Sequence, residues 1–349
     1  MNKKYIFNLR EKRLPASIGN KARNLRLLQD KGFLTPTTYV CTWQAYDGYL
    51  KNNIEMLASL ENELNQIIAP NIPYAVRSSA NLEDDFEHSF AGQFKTILDV
   101  YGVSDILRAI WSVWATTQSN EVQIYIQKHN KGQKELHMAV IIQEMVSPVL
   151  SGVAFSKHPI TGMDETVIEV VKGRGDALVQ GGITPYTYIN KWGVWIAKPE
   201  HNEIDLTLMQ ELVDKIRRIS KVFCKDVDLE WVYDGRQIYW VQMREITSTR
   251  NVPVYSNSIA KEMMPGMIKP LVWSLNVPLV CGAWKILITE MIGKNDIDVM
   301  SLAKPFYYRA YFNMQILGQV FNSLGLPQEV LEMMSCSSNS HYTGEDPAC

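Results

Sequence analysis

The sequence is short of cysteine and has no excess of charge of either sign. Its five cysteines are scattered, and no two have the CxxC spacing of a zinc or redox site. Their wide spacing favours a reducing cytoplasm rather than a disulfide framework. We predict that no apolar run approaches the roughly 18 residues of a membrane helix, and the first residues lack the apolar core of a signal peptide. We therefore expect a cytoplasmic protein without a membrane partner.

Charge and motif content exclude two further classes. The 35 Lys and Arg residues against 37 Asp and Glu give a net charge of -2, which argues against a nucleic-acid-binding protein. The phosphate-binding pattern GxxxxGK[ST] is absent from the chain. A length of 349 residues with 46% hydrophobic content predicts two or three globular domains.

Strand and helix patterns alternate up to about residue 248, which indicates an α+β class. A helix follows Gly19, with Ala22, Leu25 and Leu28 on one face. Ser104 and Asp205 are predicted to cap two more helices. Strands are predicted at TTYVC, YAVR, TILDV, MAVIIQEMV, GVAFS, TVIEVV, TYIN, DLEWVY and QIYWVQMR. From residue 259 the chain reads as mostly helical, and the polar tail is predicted to be poorly ordered.

Three positions suit phosphate binding. Arg77 follows a strand and offers a planar fork that matches phosphate oxygens. Gly92 lies in a small-residue loop whose backbone N–H groups could approach a phosphate closely. Lys21 opens a helix, where the helix dipole also favours an anion. A solvated side chain or an ordinary turn is the alternative interpretation of each position taken alone.

Four polar residues interrupt the apolar hairpin near the end of the α+β region: Asp228, Glu230, Gln242 and Arg244. A two-residue turn at 234–235 would put Glu230 and Gln242 on opposite faces, whereas a three-residue loop at 233–235 brings all four to one face. We predict the three-residue loop, with Gly235 in the left-handed conformation. Oxygens from Glu230 and Gln242 would then suit Mg²⁺, and a solvated edge hairpin is the alternative.

The strand that begins at Met138 ends in Gln143, Glu144, Met145 and Val146. A strand that runs into such a polar pair can present backbone groups and side chains to a purine, although a core strand that simply ends at the surface is the more common case.

Six segments in order resemble the ATP-binding domain of the phosphoenolpyruvate synthase and pyruvate phosphate dikinase family. AVRSSANLEDDFEHSFAGQF is similar to the family's AVRSSA…ED…SFAGQ, and GNKARNL is similar to its GGKGANL. Four later blocks follow in the family's order: IIQEMV, SGVAFSKHPITG, GGITPYTYI and DLEWVYDGRQIYWVQMREIT. The resemblance covers roughly residues 15 to 248. It implies an ATP-grasp fold, with one lobe over 1–149, a second over 150–248, and the start of a helical acceptor-type domain over 249–349.

The resemblance also implies a role for each matching residue. Lys21, Arg77 and Arg244 match phosphate contacts and are the expected catalytic residues, and Glu230 and Gln242 match ligands of Mg²⁺, with Asp228 as a companion. The remaining ATP-binding positions are Gly92 and Thr96 below the triphosphate, and Gln143, Glu144 and Val146 around the adenine. The implied function is an ATP-dependent phosphotransferase that phosphorylates a histidine on a separate domain or subunit.

Some family features are missing. Two arginines that follow the family's WAS segment are replaced by Glu121 and Ile126, and no histidine lies in a GGxxSHxA-like segment. These departures leave open a catalytically degenerate, regulatory nucleotide-binding module. A carboxylate–amine ligase is a third reading, which the order of the blocks disfavours. The phosphoryl acceptor is not predicted.

Overall fold

A computed structural model gives the fold, and it describes residues 3–81, 94–120, 122–123, 136–160, 162–175, 184–200, 204–246, 255–263, 266–295 and 297–326. The chain divides into two compact units. The first comprises Met1–Pro159 and Asp164–Thr247, and the second comprises Ile160–Met163 and Ser248–Cys349. The mixed α+β class predicted from the sequence is confirmed, because helices and sheets alternate throughout the first unit.

The first half of unit 1 is built around one antiparallel sheet. Its strands, in the spatial order β1-β2-β5-β3-β4, are β1 (Ile6–Asn8), β2 (Thr38–Cys41), β3 (Tyr74–Ala80), β4 (Thr96–Val100) and β5 (Met138–Glu144). Its helices are α1 (Gly19–Asp30), α2 (Trp43–Leu50), α3 (Ile54–Ile67) and α4 (Gly102–Thr116). We call this sheet the N-terminal sheet.

The two faces of the N-terminal sheet are covered differently. Tyr74 and Val76 of β3 point into an apolar core built with α2, α3 and α4. On the opposite face, Ala139 and Ile141 of β5 pack against Ala22 of α1 in a smaller cluster. Because strand side chains alternate between faces, Arg77 lies on the face of α1, which covers only part of the sheet.

The second half of unit 1 forms a six-stranded antiparallel sheet, here called the C-terminal sheet. Its strands are arranged β11-β10-β6-β7-β8-β9. They are β6 (Leu150–Phe155), β7 (Thr166–Lys172), β8 (Tyr186–Lys191), β9 (Val194–Ala197), β10 (Val227–Tyr233) and β11 (Ile238–Glu245), with helix α5 (Leu206–Phe223).

Helix α5 covers one face of the C-terminal sheet. Asp205 caps it as predicted, because its side chain accepts a hydrogen bond of 2.8 Å from the N–H of Thr207. The helix buries Leu212, Ile216 and Ile219 at helical spacing against the sheet. Each such side chain contributes about 2 kcal/mol when it is fully buried. The opposite face of the sheet is therefore left for the cleft described below.

Unit 2 is mostly helical but also contains a small sheet. Its elements are α6 (Ser258–Met263), α7 (Pro270–Ile292), α8 (Met314–Ser323), β12 (Tyr255–Ser256), β13 (Ala303–Phe306) and β14 (Arg309–Asn313), with the strands in the order β12-β14-β13. This sheet was not predicted, because its strands span only two to five residues and carry no long alternating pattern.

Helix α7 contradicts one expectation about apolar runs. Its 23 residues include an 18-residue window with a mean hydropathy of 1.6, of which 11% is buried. By length and composition it is long enough to cross a membrane, so the expectation that no such run exists is wrong. Ser274, Asn276 and Lys285 interrupt the apolar sequence, which is why the segment does not stand out by eye.

The start of helix α4 differs from the prediction. Ser104 does not cap α4, since the helix begins at Gly102 and Tyr101 occupies the cap position without a side-chain hydrogen bond. Gly102 has a φ of +66°, and this conformation lets the chain enter the helix three residues earlier than predicted. The predicted disorder of the tail lies outside the described residues.

Candidate functional site

A cleft of about 490 Å³ lies between the N-terminal and C-terminal sheets within unit 1. Its volume is within the range of small-molecule and nucleotide sites. One wall comes from β3, β4 and the end of β5, and the other comes from β6, β10 and the loop after β7. Among the predicted site residues, those that line the cleft are Arg77, Thr96, Gln143, Glu144, Val146 and Glu230.

Arg77 joins the two walls at one end of the cleft. Its Nη2 donates to Oε2 of Glu230 at 2.7 Å and to Oε1 of Gln242 at 2.8 Å. Its Nη1 donates to the carbonyl of Val241 at 3.4 Å. We call these contacts the inner bridge. The side chains of Arg77 and Glu230 are 14% and 21% exposed, so the bridge is largely shielded from water.

The hairpin places Glu230 and Gln242 side by side because of a β-bulge. Glu230 pairs with Gln242, but the next residue, Trp231, pairs with Trp240, so Val241 is an extra residue in β11. A bulge frees a residue from regular pairing and can redirect its groups. The carbonyl of Val241 faces Arg77 at this point.

The predicted three-residue loop is wrong, although its consequence is observed. Tyr233 pairs with Ile238, which leaves a four-residue loop at 234–237. Oδ1 of Asp234 accepts hydrogen bonds from the N–H groups of Arg236 and Gln237 and so stabilises this loop. A four-residue loop alone would have put Glu230 and Gln242 on opposite faces. The extra residue in the bulge returns the two side chains to the same face. Gly235 has the predicted positive φ, at +93°.

Glu230 is the electrostatic centre of the inner bridge. Burial by itself raises the pKa of Glu230, but the guanidinium of Arg77, followed by Arg244 and Lys21, outweighs burial and holds the pKa below its ordinary value. Nη2 of Arg244 lies 3.9 Å from Oε1 of Glu230. The carboxylate is therefore ionised at neutral pH and stands among three cations.

Lys21 reaches this cluster from α1. It is 8% exposed, and its Nζ donates to the hydroxyl of Ser78 at 3.2 Å. The start of α1 is held against β3, since the N–H of Ala22 donates to Oγ of Ser79 at 3.1 Å. Gly19 allows this approach, because a Cβ there would lie 1.9 Å from the Ser79 carbonyl oxygen.

The segment after β5 lies at the other end of the cleft. The N–H groups of Glu144 and Met145 donate to the carbonyls of Thr37 and Pro73, both at 2.9 Å. These two N–H groups are therefore already used, and a purine at this position would form hydrogen bonds with carbonyl oxygens of the segment or with the N–H of Val146. Gln143 is buried, and its Nε2 donates to Oγ1 of Thr38 at 3.1 Å.

A second contact joins the two walls near this end. Nη1 of Arg174, in the loop after β7, donates to Oδ2 of Asp99 in β4 at 2.6 Å. We call this ion pair the outer bridge. Both side chains are exposed, at 42% and 46%, and Asp99 has a φ of +55°. Its N–H contacts the sulfur of Met145 at 3.2 Å.

Glu230 and Gln242 fit the ligand chemistry of Mg²⁺. Both Oε2 of Glu230 and Oε1 of Gln242 lie within hydrogen-bond distance of one atom, Nη2 of Arg77, so the two oxygens converge on one point. Among the described residues, no group of three or more His, Cys, Asp or Glu side chains could hold a metal. Two protein oxygens are nevertheless sufficient for Mg²⁺ that keeps phosphate and water ligands.

The structure brings most of the predicted site residues together, and their roles stay predictions. Gln242 accepts a hydrogen bond from Arg77, Arg244 lies 3.9 Å from Glu230, and Lys21 contacts Ser78, the neighbour of Arg77 in β3. Gly92 lies outside the described residues. Sequence reasoning missed Arg174 and Asp99, although a cation in a glycine-flanked loop directly after a strand was a usable signal for Arg174.

Comparisons with known proteins agree with the resemblance. Residues 54–209 match the family described as pyruvate phosphate dikinase, AMP/ATP-binding domain. A probable phosphoenolpyruvate synthase from Archaeoglobus fulgidus is 28% identical over 66% of this chain and 35% of that protein. A rifampicin phosphotransferase from Streptomyces sp is 33% identical over 57% of this chain and 27% of that protein.

A third relative, the phosphoenolpyruvate synthase of Pyrococcus furiosus, is 27% identical over 66% of this chain and 33% of that protein. The chain thus spans about a third of the length of these relatives.

Proposed function

Because the chain belongs to the phosphoenolpyruvate synthase and pyruvate phosphate dikinase family, whose AMP/ATP-binding domain it carries, we propose that it is an ATP-dependent phosphotransferase module. It binds Mg-ATP in the cleft between the two sheets, in the manner of an ATP-grasp domain. It transfers a phosphoryl group to a histidine on a separate domain or subunit. The observation that carries this proposal is the convergence of Arg77, Glu230 and Gln242 at one end of that cleft.

The cleft supports an orientation for the nucleotide. The cationic end, with Arg77, Arg244 and Lys21 around Glu230, suits the triphosphate. The other end, with Gln143 and the backbone of 144–146, suits the adenine. In this pose Thr96, the cross-strand neighbour of Arg77, lies beside the triphosphate.

The residues act mainly by positioning and by neutralising charge, which supply most of the catalysis in phosphoryl transfer. Arg77 offers its guanidinium to phosphate oxygens, and Arg244 and Lys21 add positive charge on the same side. Mg²⁺, held by Glu230 and Gln242, would withdraw charge from the phosphate oxygens. A histidine nitrogen then attacks the phosphorus, and the bond to the leaving nucleotide oxygen breaks.

A second candidate is a nucleotide-binding module without turnover. Glu121 and Ile126 stand where the family has arginines, and loss of two cations would weaken stabilisation of the transferring group. Binding of Mg-ATP is common to both candidates, and phosphoryl transfer separates them.

Calorimetric titration with Mg-ATP tests the site. We expect Arg77→Ala and Glu230→Ala each to weaken binding at least about 100-fold, since each removes a charged contact worth about 3 kcal/mol. Arg108→Ala is the matched control, because Arg108 is an exposed arginine on α4, outside the cleft lining. Equal binding by all four proteins would refute the proposed site.

Transfer is tested by adding a separate histidine domain of a family member to the chain and radiolabelled Mg-ATP. Acid-labile label on that domain, lost with Glu230→Ala, supports the phosphotransferase. Tight binding without any label favours the module without turnover.

We also propose a cytoplasmic location. The described cysteines Cys41, Cys224 and Cys281 are all free thiols, which fits a reducing compartment. Helix α7 is the feature to test, by asking whether the protein sediments with membranes after extraction in high salt.

A further inference from the structure

We propose that Arg77 and the divalent cation compete for the same two oxygens, so that the site rejects free metal and accepts it only together with a triphosphate. This inference rests on the proposed function and describes how the same site is regulated.

The competition follows from which atoms the inner bridge uses. Oε2 of Glu230 and Oε1 of Gln242, the oxygens that would ligate Mg²⁺, both accept hydrogen bonds from Nη2 of Arg77 at 2.7 and 2.8 Å. Mg²⁺ requires oxygens at about 2.0 to 2.1 Å. A cation that approached both oxygens so closely from the side of Arg77, where the two oxygens converge, would meet Nη2 well inside contact distance. The guanidinium and the metal therefore exclude each other.

The charge around the oxygens acts in the same direction. Lys21, Arg77 and Arg244 all lie close enough to lower the pKa of Glu230. Among the described residues on this face of the hairpin, Asp228, the cross-strand partner of Arg244, is a second carboxylate. Counted over these described residues, three cations stand against two carboxylates, so the cluster attracts a polyanion and repels a bare dication.

Arg77 also has unused capacity for another partner. Its buried Nε has no hydrogen-bond partner among the described residues, and buried donors in native proteins are almost always satisfied. A phosphate oxygen beside the guanidinium can satisfy Nε together with one Nη. Arrival of the triphosphate thus gives Arg77 a better set of acceptors at the moment when Glu230 and Gln242 receive the metal.

Arg77 therefore has two positions, one against Glu230 and Gln242 and one against the triphosphate, and it affects two binding equilibria. It is required for binding of Mg-ATP, yet it opposes binding of metal alone. Removing it should therefore weaken one affinity and strengthen the other. A residue that only held the cleft together would not show such opposite effects.

The test measures binding of free Mn²⁺ without nucleotide, by electron paramagnetic resonance, in wild type, Arg77→Met and Arg77→Gln. We expect wild type to bind Mn²⁺ weakly and both variants to bind it at least about tenfold more tightly, because one facing positive charge is gone. Arg77→Lys keeps the charge and should stay near wild type. The double variant Arg77→Met with Glu230→Gln should bind Mn²⁺ no more tightly than wild type.

Two variants at position 77 guard against misfolding of one of them, and the thermal unfolding of each is recorded alongside. If wild type binds Mg-ATP but the Mn²⁺ affinity of the folded variants is unchanged or lower, the competition is refuted while the proposed function stands. If Mn²⁺ binding rises in both variants while wild type fails to bind Mg-ATP, the competition stands and the proposed function fails.

Discussion

The inner and outer bridges join the same two walls of the cleft and have similar contact distances, yet they differ in burial and in the number of hydrogen bonds. The shortest contact is 2.7 Å in the inner bridge and 2.6 Å in the outer bridge. The inner bridge is mostly buried, and its guanidinium contacts three acceptors. In the outer bridge, one exposed arginine meets one exposed carboxylate.

The strength of the two ion pairs therefore depends on burial and on the number of hydrogen bonds rather than on the contact distance. Exposed pairs contribute about 0 to 1 kcal/mol. Removing one partner of a buried pair costs about 3 to 5 kcal/mol, because the remaining charge stays desolvated. We therefore expect the inner bridge to fix the fold of the cleft and the outer bridge to open easily.

Gly19→Ala should disrupt the inner bridge most severely. A Cβ at Gly19 would lie 1.9 Å from the Ser79 carbonyl oxygen, and the residue has a φ of +75°. Separating α1 from β3 would move Lys21 and the strand that carries Arg77. We expect a loss of about 3 to 4 kcal/mol in the free energy of unfolding, from steric overlap and backbone strain together, measured by denaturant titration.

Gly32→Ala provides the control, just beyond the C-terminal end of the same helix. Gly32 also has a positive φ, +78°, but a Cβ there meets nothing within 4 Å. It should cost only about 1 kcal/mol, from strain alone. Equal losses for the two variants would show that the close approach of α1 to β3 is not what the first change disturbs.

Glu230→Gln should have the next largest effect. The glutamine can still accept a hydrogen bond from Arg77, but its neutral side chain leaves three cations facing one another. We expect a loss of about 2 kcal/mol at pH 7, below the value for a fully buried pair because the side chain is 21% exposed.

The pH dependence of that loss follows from the lowered pKa of Glu230. The unfolded chain binds the proton at about pH 4.3, and the folded protein binds it only at lower pH. The contribution of the carboxylate is thus complete above about pH 4.3 and is lost as the pH falls through the folded pKa. The difference between wild type and Glu230→Gln should shrink accordingly. A difference that stays constant from pH 7 to pH 3 would contradict this assignment.

The candidate site shows what sequence patterns can and cannot determine. Strand alternation correctly put Asp228 with Glu230, and Gln242 with Arg244, because a period of two holds along any regular strand. It could not give the relation between the two strands, which depends on the loop and on the bulge at Val241. The predicted three-residue loop put Glu230 and Gln242 on one face, as observed, but in the structure a four-residue loop and the bulge together produce that arrangement.

The fold shows a similar division. Helices with regular apolar spacing, such as α1 and α5, were predictable. Helices α2 and α3 were not identified, although Met56, Leu60 and Leu64 of α3 are buried at helical spacing. The outer bridge was also missed, because Asp99 and Arg174 are 75 residues apart and only the packing of the two sheets brings them together.

The outer bridge should give the smallest effect, and it is the sharpest check on the comparison. Asp99→Asn and Arg174→Gln each remove one charge, and Asn tolerates the left-handed φ of position 99 as Asp does. A double-mutant cycle on unfolding free energy should give a coupling of about 0.5 kcal/mol at low salt. The coupling should vanish near 1 M salt, where the screening length is about 3 Å.

A coupling above about 1.5 kcal/mol that survives salt would mean that the difference in exposure does not produce a difference in strength between the two bridges. The cleft would then be held shut at both ends, and nucleotide entry would require a larger opening than the exposed pair suggests.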